Sequence, residues 1–263
     1  MKELVINYNE KKHTCQLPEN FSEMNDVQFI EAVKYRINKL AEKPTTDTFF
    51  TNLCGIDPHI VKQLPFYHKY FIEQLFEYIL EKDLNIAFKT QKIPKIKIEE
   101  TEYYGYWPDF ENTTWEEFIL ADQFFMDNDY KSLISLLYRQ KRENHDGETD
   151  IRIPFTKYGI LKRLTIVNKL DETTILALAL QYKAMRQASL EQKYTQIFPE
   201  HIKFEDDEKP EPEAQNKFSW LQVHRNILGD NIAQEKEYLQ LNVHTVLHRL
   251  NTAIIESKKR KTA

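Results

Sequence analysis

A chain of 263 residues with 41% hydrophobic content has the apolar inventory for one large domain and a smaller one. Its formal charge of -5, from 36 basic and 41 acidic side chains, argues against wholesale binding to phosphate backbones, and its five glycines are too scattered for a phosphate-cradling loop. The longest clean apolar run, Ile175 to Leu180, is far below a membrane span and no signal-peptide run opens the sequence, so the expectation is a cytoplasmic protein with Cys15 and Cys54 reduced.

Leu4, Ile6 and Tyr8, then Cys15 and Leu17, alternate with other residues on either side of Asn9-Glu10 and predict a short N-terminal β-hairpin. Asn25 and Gln28 form a capping pair ahead of the stripe Val27, Ile30, Val33, Ile37 and Leu40. Phe49 to Cys54 reads as a short helix that Gly55 ends in the left-handed conformation. Asp57-Pro58 opens another, running to Pro65. After Pro65, Tyr67, Tyr70, Phe71, Leu75, Tyr78 and Ile79 recur at helical spacing, which predicts a core-facing helix with its aromatics inside. Ile86 with Phe88 and Ile96 with Ile98 then alternate, and the expectation is that they extend the hairpin into a small sheet.

The run from Tyr103 to Phe110 is the most aromatic piece of the chain; without interleaved Lys or Arg it reads as a loop packed onto the domain rather than a base-stacking platform. The organising stretch follows, from Asn112 to Arg139. Thr114 and Glu117 make a capping box, Trp115, Phe118, Ile119 and Phe125 keep helical spacing, and Asp127-Asn128-Asp129 ends that helix and caps the next, through Tyr130, Leu133, Ile134, Leu137 and Tyr138. Arg139 to Asp150 is polar enough to predict a solvated loop. Ile160, Leu161, Leu164 and Val167 form another stripe, and the helix opened by Asp171 or Thr173, apolar on every side from Ile175 to Leu180, is expected at the centre of the large domain against the Trp115 hairpin.

The predicted organisation is mainly α (α+β): residues 1-199 as a helical domain with the N-terminal hairpin, 200-217 as an acidic Pro-rich linker, 218-257 as a small three-helix module and 258-263 as a basic tail. In the module, Ser219 with Gln222 and then Asn242 supply caps, and Val243, Val246, Leu247, Leu250 and Ile254 share a stripe. So small a core is marginal alone, so Trp220, Leu221, Val243 and Leu247 are the candidate partner-binding residues.

No catalytic, cofactor-binding or metal site is read from the residues. His244 and His248 have the four-residue spacing of a metal pair, but no third ligand is placed and Thr245 stands where a zinc protease carries glutamate. Glu116, Glu117 and Asp122 are explained by capping and a solvated face, Cys54-Gly55 by a helix end, and Lys258-Lys259-Arg260-Lys261 by a solvated terminus.

The order of these packing motifs resembles that of uncharacterised structural or tail assembly chaperone-like proteins of phages and prophages of Bacteroidota. Phe21 to Ile30, Leu53 to Asp57 with Leu64-Pro65, Asn112 to Asp122 with Leu133 to Arg139, and Asp150 to Phe155 carry the likeness; Phe218 to Leu221 with Leu228 to Asn231 resembles the smaller module of such proteins. Glu116 departs from the pattern, where Gly is commoner. The resemblance implies a morphogenesis protein in the host cytoplasm that holds a tape-measure or tail tube protein, or associates with itself, without a cofactor. The alternatives are a virion component of the neck, connector or tail, and an enzyme whose site is assembled from distant residues.

Overall fold

Capping and apolar periodicity set the strands and α-helices of the chain, seen in a computed structural model that describes residues 1–8, 11–81, 88–144, 150–198, 219–229 and 232–262; among those residues there are four strands and ten α-helices. They are β1 (Lys2–Tyr8), β2 (Lys11–Leu17), α1 (Asp26–Leu40), α2 (Pro58–Gln63), α3 (Phe66–Gln74), β3 (Lys95–Ile98), β4 (Thr101–Tyr104), α4 (Trp115–Met126), α5 (Tyr130–Leu137), α6 (Lys157–Val167), α7 (Glu172–Arg186), α8 (Trp220–Leu228), α9 (Glu235–Leu239) and α10 (Val243–Thr262). The fold is mainly α with a small β part. Two bodies divide it, Met1–Ile93 with Leu170–Met185, and Pro94–Lys169 with Arg186–Ala263.

In the first body β1 and β2 pair antiparallel from Lys2 opposite Leu17 to Tyr8 opposite Lys11, as the alternation predicts. The α1 capping box forms in full: the Gln28 amide donates to Asn25 Oδ1 at 2.9 Å and the Asn25 amide to Gln28 Oε1 at 3.1 Å. The helix matches its predicted stripe only in part. Val33 is buried as expected but Val27 and Leu40 are exposed, while Phe29, Ala32 and Tyr35 are buried instead, Phe29 beside Phe21 and Phe88 and Tyr35 with its ring centre 4.3 Å from Phe49, which lies 5.4 Å from Phe76. Glu31 lies on that buried side because Thr48 and Asn52 donate to its carboxylate at 2.8 and 3.2 Å. Gly55 ends the turn at Phe49–Leu53 with φ +70°, and Asp57 accepts from the His59 amide at 2.7 Å to start α2. Within α7, Ile175, Ala177, Leu178, Ala179 and Tyr182 are buried, and Gln181 exchanges two hydrogen bonds with the Ile93 backbone at 2.7 and 3.3 Å. This helix belongs to the first body, not to the Trp115 hairpin as expected.

In the second body β3 turns straight back through Glu99 (φ +54°) into β4, so Ile96 and Ile98 build a separate two-stranded sheet instead of extending the N-terminal hairpin; Ile86 lies outside the described residues. Tyr103, Tyr106 and Phe110 are buried, the loop packing predicted for that run. Thr114 and Glu117 close their capping box, and Asp129 accepts from the Ser132 amide at 3.2 Å to start α5.

The predicted solvated loop does not begin at Arg139. That residue is buried, exchanges backbone hydrogen bonds with Tyr104 at 2.8 and 3.0 Å, and its guanidinium lies 2.7 Å from Glu117 and 3.3 Å from Asp150. Arg152, also buried, forks onto Asp150 and donates to the carbonyls of Leu137 (2.8 Å) and Asn112 (3.0 Å), so the end of α5 and the start of the α4 loop share one cation. Arg163 donates to the Ser135 carbonyl at 2.6 Å. Burial, with the neighbouring Arg152 charge, lowers the Arg139 pKa to about 10, which leaves it cationic at neutral pH.

The stretch 200-217, read as a linker, lies outside the described residues. The helices after it pack within the second body, against α4, and do not stand as a separate module. The Trp115 amide donates to the Leu241 carbonyl at 2.7 Å, the Val243 amide to the Thr113 carbonyl at 3.1 Å, and Asn242 bridges Thr114.

Candidate interaction surface

α3 follows Pro65, which cannot donate and so suits a helix start. Its side chains are arranged opposite to the usual amphipathic order. The inward positions carry Ile72, which is buried, with Lys69 and Glu73. Lys69 pairs with Asp47 at 3.0 Å and lies over the Phe50 ring, and Glu73 pairs with Lys39 of α1 at 2.6 Å. Those two ion pairs lie on the side of the helix that faces the body. Phe66, Tyr67, Tyr70 and Phe71 are then left outside, exposed by 83%, 65%, 57% and 60%.

At 3.6 residues per turn these four side chains cover about 140° of the helix, in two i,i+4 rows, Phe66 with Tyr70 and Tyr67 with Phe71. Gln74 completes the face, which carries no Asp, Glu, Lys or Arg; His68, also exposed, borders it with its ring centre 4.1 Å from that of Tyr67. Side chains of this size leave roughly 500 Å² of aromatic surface in water, in the range of about 300–600 Å² where a monomer's largest patch is often functional. The aromatic spacing predicts a helix here, but α3 stops at Gln74 and Glu77–Ile79 forms a separate 3-10 turn; Ile79 is buried as expected, whereas Tyr67, Tyr70 and Phe71 are exposed.

The sequence-predicted partner residues lie elsewhere. Trp220 is buried with its ring 5.5 Å from Trp115, 5.3 Å from Phe118 and 5.5 Å from Phe198, and its indole N–H donates to Asp122 at 2.6 Å. Asp122 Oδ1 in turn lies 2.7 Å from the Arg186 guanidinium. Val243 and Leu247 are fully buried, so three of the four are taken by the body itself; Leu221, 45% exposed, is the one with surface to offer. Beside them Trp115 donates to His224 Nδ1 at 3.3 Å, and burial holds the His224 pKa below its ordinary value.

The remaining candidates have structural surroundings. His244 places Nε2 2.6 Å from the Asp109 carbonyl and Nδ1 2.8 Å from the Tyr194 hydroxyl; since a carbonyl only accepts, Nε2 donates to it. His248 is exposed. Glu117 serves the cap and Arg139, Glu116 lies 3.2 Å from Lys157, and Cys54 is buried with its thiol pKa raised by that burial. Lys258 donates to Gln196 at 2.6 Å. Among the described residues no group of three or more His, Cys, Asp and Glu is placed to hold a metal, and no helix is long and apolar enough to cross a membrane. No family model, curated protein or solved structure matches the chain.

Proposed function

We propose that this protein is a phage morphogenesis factor, a tail assembly chaperone-like protein that works by protein–protein interaction in the cytoplasm of the bacterial host. The observation that carries the reading is the outward aromatic face of α3. A face of four large rings with no charge suits the apolar stripe of a partner helix, and the tape-measure protein, long and helical, presents such stripes until tail tube subunits enclose it. The order of packing motifs along the chain, similar to that of tail assembly chaperone-like proteins, supports the same reading. It assigns the work to surface rather than to a reactive group.

The test is co-expression with the tape-measure protein of the same phage, scored by the fraction of that protein recovered soluble and bound. The wild-type chain raises that fraction and Phe66→Ser/Phe71→Ser does not; equal recovery with and without the chain overturns the reading. Mass spectrometry of purified particles separates the alternative, since an assembly chaperone is absent from them whereas a neck, connector or tail component is present in fixed stoichiometry.

A further inference from the structure

The α3 face also has the properties of a surface that meets itself. We infer that in the free protein it pairs with the α3 face of a second copy, so that self-association and partner binding exclude one another; this deepens the function proposed above by giving its binding face a resting state.

Three features of the face favour a second copy over other occupants. Paired with its twin it covers roughly 1,000 Å² in total, the size at which a specific interface begins. Phe66, Tyr67, Tyr70, Phe71 and Gln74 bring no charge, so a dyad sets no like charges against each other, whereas an anionic membrane or nucleic acid would find no cation there and would face a chain of net charge -5. The two i,i+4 rows leave a groove between them, and a twofold axis through the centre of the four rings, level with residues 68 and 69 of the helix, lays one row of each copy into the groove of the other. In that antiparallel register Phe66 meets Phe71 of the other copy and Tyr67 meets Tyr70. The two tyrosine hydroxyls and Gln74 can reach water at the rim.

Sedimentation velocity of the full chain over a concentration series provides the test. The wild type forms a dimer that tightens with added salt, because screening weakens the repulsion between two acidic chains while the apolar contact persists. Phe66→Ser/Phe71→Ser raises the dissociation constant at least about 100-fold, and an unchanged circular dichroism spectrum shows that its fold is kept. Phe66→Lys and Phe71→Glu are each monomeric alone and dimerise on mixing, because the mixture places Lys against Glu at one contact and Phe against Phe at the other. A wild type that stays monomeric, a dimer indifferent to the double substitution, or charge variants that fail to associate on mixing would each overturn the inference. If the wild type is monomeric but the double variant still loses the tape-measure protein, self-pairing fails and the proposed function stands. If the double variant loses the dimer and keeps that partner, self-pairing stands and the proposed partner site fails.

Discussion

Replacing Trp220 tests whether the helices beyond the acidic stretch are integral to the second body. The side chain is buried among Trp115, Phe118 and Phe198, and its N–H satisfies one oxygen of Asp122, whose other oxygen faces Arg186. Truncating a buried tryptophan costs about 3–5 kcal/mol. Trp220→Ala removes the ring from three neighbours at once but leaves Asp122 its guanidinium, so about 4 kcal/mol is expected. Trp220→Phe keeps most of the apolar volume and deletes only the donor, for about 1–3 kcal/mol. Urea unfolding followed by far-ultraviolet circular dichroism gives both values, and hydrogen exchange at α4 amides reports whether the loss is local to this body. The expected order is wild type, then Phe, then Ala. An alanine variant within about 0.5 kcal/mol of wild type would show that α8 contributes nothing to the body and that the packing argument is wrong.

Arg152→Met leaves Asp150 without its fork and two carbonyls without their donor, and a loss of about 3–5 kcal/mol is expected in chemical denaturation; Arg152→Lys should recover little of it, since an ammonium cannot reach Asp150, Leu137 and Asn112 together, and a neutral lysine variant would refute the shared-cation reading. His224 is held neutral by burial, with Glu235 and Glu116 opposing that shift, so between the unfolded and the lower folded pKa the unfolded chain binds the extra proton. Stability therefore falls as pH drops below about 6.5, and protonating Nδ1 also removes the acceptor for Trp115. His224→Gln should flatten the pH dependence of the unfolding midpoint across that window, and an unchanged slope would contradict the assignment. Cys54 is fully buried and Cys15 only partly, so a thiol reagent such as Ellman's should label Cys15 first in the native protein and Cys54 only on unfolding; equal native rates would show that the Cys54 pocket is open.

What was legible in the sequence is what is local. The boxes at Asn25 with Gln28 and at Thr114 with Glu117 each join residues three apart, and both form as written. Helical periodicity located α1 and α3 but placed their buried sides only in part: Val33 of the α1 stripe is buried while Val27 and Leu40 are not, and the α3 aromatics are exposed, since the groups each helix meets, Thr48 and Asn52 for Glu31, Asp47 and Lys39 for the polar side of α3, lie far along the chain. Polarity misled at Arg139 for the same reason. A stretch rich in charge reads as solvated until its cations are seen to close on Glu117, Asp150 and a set of backbone carbonyls. The binding candidates at Trp220, Val243 and Leu247 rested on a segment too poor in apolar residues to fold alone. That shortage is made good by α4 within the same chain.

The bond from Trp115 to His224 spans 109 residues and the one from Trp220 to Asp122 spans 98. At a ribosomal pace of about 5–20 residues per second, the α4 segment emerges about 5 to 20 seconds before the groups that complete its core. For that interval Trp115 and Phe118 have no Trp220 to pack on and the Asp122 carboxylate awaits its indole donor. A translation product that stops short of residue 219 is consequently expected to be a target for cellular chaperones and proteases.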